Sequence, residues 1–230
     1  MEEAGTLKAL KSRPRRPQAE RRSEAMNTIL DAAEREFARR GRDAATLRAI
    51  ALEAGMDSAL LHYYFGDKDG VFRAVLARKF AMVNEIYVQA MDAYEARVGD
   101  APTIEGVLDV FLRPFCEMLV KDSATWTDFA TILIRTNGLQ PDETEIMRKN
   151  YDPIVLRFIE MLMRVSPATP HEDIFWYFQI VSASFTQALA QNGRIDVLSG
   201  GLVKSSNLMA ALKSMIAVLS RGFQAIVPTN

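Results

Sequence analysis

Two short apolar segments, each opened by a capping residue and separated by a glycine, follow one another between Thr46 and Phe65. No other stretch of the chain restricts its fold as much. The Thr46 hydroxyl is placed to accept from the first free backbone N–H groups of a helix whose inner face is Ile50, Ala51 and Ala54. Gly55 permits the turn, and Asp57 or Ser58 caps the next helix. A short helix, a turn of about four residues and another short helix make a helix-turn-helix. In that arrangement the second helix is presented outward, and its N-terminal residues enter the major groove of DNA.

The consecutive residues His62, Tyr63 and Tyr64 then find a place. On a helix that starts at Ser58, Leu61 and Phe65 lie four apart and face inward, towards Phe37 and Ile50. Ser58, Ala59, His62 and Tyr63 are left facing out. Tyr64 sits at the flank, where its ring can pack while its hydroxyl reaches a phosphate. Lys68, in GDKDG, opens the next helix, where its charge and the free N–H groups can hold a phosphate oxygen.

The run TLRAIALEAGMDSALLHYYFGDKDGVFRAVL, Thr46–Leu76, resembles the DNA-binding domain of the tetracycline-repressor (TetR) family of bacterial transcription regulators. Its capping Thr, Ile-Ala pair, Ala-Gly, Tyr-Phe helix end and following Lys stand at the family's spacing, and the resemblance covers roughly residues 23–80. It implies that Ser58, Ala59, Leu60, His62 and Tyr63 turn toward bases and adjacent sugars. It also implies that Arg48, Tyr64 and Lys68 hold phosphates, with Arg48 sometimes at a base edge, and that Thr46 opens the same surface. Asp57, Leu60 and His62 stand where Ser, Thr and Tyr are more usual, so Leu60 offers contact with a thymine methyl in place of a hydrogen bond.

Helical periodicity continues on both sides, and the chain reads as all-α. Met26, Ile29, Leu30, Ala33 and Phe37 recur at three- and four-residue steps, a first helix that stops at Gly41. Ahead of it, Lys8–Arg22 holds seven basic residues and one acid, with Pro14 and Pro17 opposed to a helix. Residues 1–22 therefore read as a disordered basic arm, either for a polyanion or simply solvated. Residues 1–80 hold 16 Lys+Arg against 12 Asp+Glu, while the remainder holds 12 against 17, so the basic charge lies with the candidate DNA-binding end. The expected division is an arm over 1–22, a helix-turn-helix domain over 23–70, and a larger helical effector-binding and dimerisation domain over 71–230.

In that larger part, Val71–Val98 reads as one long helix, and Pro114 is expected to kink the next. Four more helices follow, the second interrupted at Pro153. Phe111, Phe115, Met118, Trp126, Phe129, Phe158, Met161 and Trp176 are the candidates for a cavity that adapts to a small apolar or acyl-type effector. A domain of this size also needs such residues for its core. Arg113, Arg135, Asn137 and Arg157 are candidates for one anionic end of the guest. The runs Ile174–Leu189 and Leu208–Ile226 are apolar and small over more than one face. They suit either a two-fold four-helix bundle in a homodimer or a buried intrachain pair, and the resemblance favours the homodimer.

Catalysis has no visible apparatus. His62 and His171 fall in different units and in no metal-ligand spacing, and no glycine-rich phosphate loop or nucleophile elbow occurs. The single Cys116 gives no disulfide framework and suits a reducing compartment. The N-terminus lacks the apolar run of a signal peptide, and no segment is long and apolar enough for a membrane span, so a cytoplasmic location is expected. Neither cofactor nor membrane is implied. The leading reading is a dimeric DNA-binding regulator, a repressor, that recognises a two-fold operator in double-stranded DNA and releases it for an effector. The alternative is a constitutive or architectural DNA-binding dimer without an effector, and a helical enzyme is more remote.

Overall fold

The computed structural model describes residues 18–136 and 145–228, and within them eleven helices and no strand. Helix α1 spans Gln18–Ala44, α2 Leu47–Ala54 and α3 Ser58–Phe65. Their buried side chains, among them Ile29, Ala33, Phe37, Ile50 and Leu61, form the head's part of a core that continues into the later helices. Residues 18–22, expected to belong to the arm, are helical and exposed; the arm's residues 1–17 lie outside the described residues. Exposure explains the difference, because a helical turn with no buried face carries no apolar period. Gly41, at φ 78° and ψ 164°, breaks the helical path of α1 where a stop is expected.

Helix α4, Lys68–Val98, spans about 46 Å at 1.5 Å per residue. Its buried stripe serves both parts of the molecule. Val71, Phe72, Val75 and Leu76 belong to the head core, with the Phe37 and Phe72 rings edge to face at 5.0 Å. Phe80, Val83, Tyr87, Met91 and Tyr94 belong to the body. A division at residue 70 therefore cuts through one continuous helix.

The body is completed by α5 (Ile104–Lys121), α6 (Ser123–Thr136), α7 (Glu145–Asn150), α8 (Asp152–Val165), α9 (His171–Leu189), α10 (Arg194–Leu198) and α11 (Leu208–Gln224). Helix α5 packs against α4, α6, α8 and α11, which places it at the centre. It runs as one helix through Pro114. Pro153 falls at the start of α8 and separates it from α7, as the sequence leads one to expect. The five-residue α10 has no apolar period long enough to announce it. Helices α9 and α11 pack on each other, and the Tyr177 hydroxyl donates to the Leu219 carbonyl at 2.9 Å. Their other faces are open: Phe175, Trp176, Ile180 and Val218 are all half-exposed or more. Among the described residues, no helix is long and apolar enough to cross a membrane.

Candidate nucleic-acid interface and interior cavity

The turn between α2 and α3 is held by local bonds. The Thr46 hydroxyl accepts from the Ala49 N–H at 3.1 Å, and Gly55 takes the left-handed conformation, φ 65° and ψ 32°, that closes α2. The Asp57 carboxylate, rather than the Ser58 hydroxyl, caps α3 by accepting from the Ala59 N–H at 2.8 Å. Leu61 is fully buried and Phe65 partly so, and together they seat α3 on the head core. Ser58, Ala59, Leu60, His62 and Tyr63 consequently face solvent, with Tyr63 75% exposed. Thr46 and Arg48 are exposed beside them on α2 and its cap.

His62 accepts or donates according to its remaining nitrogen. Its Nδ1 lies 2.8 Å from the Gly66 carbonyl oxygen, which can only accept, so Nδ1 carries a proton and Nε2 is left for an outside partner. Tyr64 is half-buried, edge to face with Tyr63 at 5.2 Å. The guanidinium of Arg22 stands 5.5 Å from the Tyr64 ring centroid. Arg22 thus joins the exposed surface of the head, a neighbour that no periodicity announces. Lys68 donates to the Asp43 carbonyl at 2.9 Å, which anchors its ammonium at the start of α4 with two further N–H donors to spare. Asp67 caps α4 by accepting from Gly70 at 2.6 Å.

Head and body meet at Lys79. Its ammonium contacts Glu34 of α1 at 2.9 Å, donates to the Thr125 carbonyl of α6 at 2.7 Å, and stands 4.8 Å from the Trp126 ring centroid. Glu34 and Lys79 are both buried, and Glu34 also receives Arg78 at 3.1 Å. One ammonium therefore bridges a head helix and a body helix.

Among the aromatic and Met candidates in the body, Phe111 and Phe158 stack face to face at 4.0 Å in the core, and Met161 is buried there too. Phe115, Trp126 and Phe129 form a ring cluster beside Phe80 and Phe185. Phe115, Phe80 and Phe185 line a cavity of roughly 50 Å³ together with Tyr87, Leu133, Tyr151, Ser182 and Thr186. Met118 faces a different space, an open groove of roughly 680 Å³ between α4 and α5 that Ile86, Ala90, Val110 and Pro114 also line. Trp176 joins neither space: it is 63% exposed on the outer face of α9. The buried stripe of α9 is Ile174, Tyr177, Val181, Phe185 and Leu189, and Trp176 lies off it. That period was available in the sequence, and it places Trp176 outside.

The candidate clamps for an anion are otherwise engaged or distant. Arg113 is paired with Asp109, and Arg157 with Asp92 and Glu95. Arg135 lies at the junction of head and body beside Gly41, and Asn137 lies outside the described residues. Tyr87 and Tyr151, whose place at this cavity no helical period in the sequence announces, are the polar rings that do reach it. Burial raises both phenols, Tyr151 to about 12, so both stay protonated near neutral pH. Cys116 is buried nearby, and desolvation pushes its thiol up to about 12, where it is an inert core group.

A capped helix-turn-helix head joined by a shared helix to a larger helical body with an aromatic interior defines a class, the helical DNA-binding regulators. Residues 29–75 match the family model of bacterial regulatory proteins of the tetR family, and residues 109–222 match that of the tetracyclin repressor-like C-terminal domain. The chain belongs to the TetR family of transcriptional regulators, and the match over its head implies DNA binding. No curated protein matches it. Solved structures share its fold. A TetR-like transcriptional regulator from Rhodococcus sp. RHA1 is 21% identical, with 91% of this chain and 99% of that chain covered and a TM-score of 0.64. The fatty acid degradation regulator FadR from Bacillus halodurans is 18% identical, with coverage of 86% and 95% and a TM-score of 0.55. FadR from Bacillus subtilis, solved in complex with stearoyl-CoA, is 17% identical, with coverage of 85% and 98% and a TM-score of 0.53. At these identities the likeness is one of fold.

Proposed function

We propose that this chain is a repressor that binds a two-fold DNA operator as a homodimer and leaves it when a small, mainly apolar effector enters the body. The observation that carries the DNA half is the outward row Ser58, Ala59, Leu60, His62 and Tyr63 on a rigidly capped α3, flanked by Arg48, Tyr64 and Lys68. The row offers base-edge contacts, and the flank offers phosphate contacts. The homodimer reading is supported by the open apolar faces of α9 and α11, which are neighbours and would meet their copies as a four-helix bundle. The effector reading is supported by the aromatic cavity and by Lys79, which ties the helix beneath that cavity to the head. A structural neighbour solved with stearoyl-CoA fits an acyl-type guest.

A second reading has its own observation. The interior cavity, at roughly 50 Å³, is far below the roughly 300–1,000 Å³ of a ligand site, which favours a constitutive DNA-binding dimer. The two readings part in one experiment. Genomic fragments retained by the purified protein are sequenced, and the affinity for the recovered site is then measured with acyl and aromatic compounds that raise the melting temperature. A palindromic site whose affinity falls with such a compound supports the effector-released repressor. Compounds that stabilise the protein and leave the affinity unchanged support the constitutive dimer.

A further inference from the structure

The interior cavity contains an unusual set of groups for an apolar core. Tyr87 is only 1% exposed and Tyr151 half-buried, both line this cavity, and no hydrogen bond joins either hydroxyl to another described residue. A phenol hydroxyl on a cavity wall that is not spent on a neighbouring group is available to donate to a guest. The two phenols share one cavity wall. Ser182 lines the same space. The rest of the wall is apolar, with Phe80, Phe115 and Phe185 on it, and no charged side chain lines it among the described residues.

We propose that the part of the effector that enters this cavity is an uncharged oxygen acceptor on an apolar, ring-sized skeleton, held by the hydroxyls of Tyr87 and Tyr151. The inference rests on the effector reading above and narrows its chemistry. Two protonated phenols are donors, so they complement a ketone, ester or ether oxygen. A carboxylate in the same place would lose its water and gain no cation, because Arg113 and Arg157 are spent on Asp109, Asp92 and Glu95. A hydrocarbon would fit the walls and leave both hydroxyls as they are. The cavity, at roughly 50 Å³, must widen to take such a guest, for which the Phe80, Phe115 and Phe185 side chains would have to change rotamer.

Three probes of nearly equal shape separate these cases: acetophenone, α-methylstyrene, in which a methylene replaces the carbonyl oxygen, and benzoate. Affinities are measured by calorimetry on the full chain and on the Tyr87→Phe, Tyr151→Phe and doubly substituted proteins. Acetophenone is expected to bind the unsubstituted protein about threefold to tenfold more tightly than α-methylstyrene, the worth of a hydrogen bond. Benzoate is expected to bind at least about tenfold more weakly than acetophenone. In the doubly substituted protein the preference for the ketone over the alkene should vanish, while the melting temperature stays level or rises. That ratio is insensitive to general loss of stability, so a merely structural role for the tyrosines would not move it. Benzoate binding as tightly as the ketone overturns the proposal, as does a ketone preference that survives both substitutions. Alkene and ketone binding equally would keep the cavity as an effector site and remove this chemistry from it. If none of the three binds, the cavity reading falls and the inference with it. Binding with the predicted selectivity but no effect on operator affinity would uphold the inference and overturn the release mechanism.

Discussion

Tyr63 and Lys68 stand five positions apart and are expected to carry different information. Tyr63 and the Nε2 of His62 point away from the head, where base edges would lie, whereas Lys68 is anchored to the Asp43 carbonyl at a helix start. Alanine at His62 or Tyr63 should cut the discrimination between the retained operator and a mismatched one by about 1–3 kcal/mol. Lys68→Ala should weaken binding to every sequence and flatten the slope of log affinity against log salt by about 0.9. Fluorescence anisotropy over a range of salt concentrations reads both effects. A Lys68 substitution that changed site preference and left the slope alone would make it a base reader. Gly70 is a different kind of residue, since a Cβ there would lie 1.9 Å from the Phe65 carbonyl oxygen. That obstacle is backbone, so the junction of α3 and α4 would have to shift. Gly70→Ala is expected to cost on the order of 1–3 kcal/mol in urea unfolding, and to lower operator affinity because α3 is re-aimed.

The helices differ in how much of their placement is local. Helices α2 and α3 are closed by their own caps, Thr46, Gly55 and Asp57, so the helix-turn-helix was readable from spacing alone. Helix α4 has its own cap in Asp67, but its use as the element shared by head and body depends on what packs against it. Lys79 is the sharpest case. Its charge on a long helix reads as a solvated position, yet packing buries it between Glu34, the Thr125 carbonyl and the Trp126 ring. Lys79→Met should destabilise the protein by about 2–3 kcal/mol, the loss of charged hydrogen bonds while Glu34 keeps Arg78. Pairing it with Glu34→Gln should recover part of that loss. Urea unfolding of the four proteins of the double-mutant cycle measures the coupling, and an additive result would deny the tie.

For the whole molecule the open question is what covers α9 and α11. Phe175, Trp176 and Ile180 on one helix and Val218 on the other are exposed apolar side chains of the kind that mark an interaction surface. Sedimentation at micromolar concentration should give about twice the 25.7 kDa of the chain. Ile180→Glu should shift the protein toward the monomer and weaken operator binding, because one head then reads half a site. In the operator-bound dimer the two α3 helices should stand about 34–36 Å apart, one turn of B-DNA. A monomeric unsubstituted protein would remove the two-fold operator from the proposed function.

The sequence by itself determined the reading head, because caps, the Gly55 turn and the Leu61–Phe65 step act within a few residues of each other. It also determined the all-α class and the stop at Pro153, through periodicity and a missing N–H. Tertiary structure decided which rings meet. Phe111 and Phe158 are 47 positions apart and stack, Trp176 turns outward, and Tyr87 and Tyr151, 64 positions apart, share one cavity. A helix repeats its faces every 3.6 residues, so its sequence tells which residues share a side; which neighbour that side meets is settled when the helices pack.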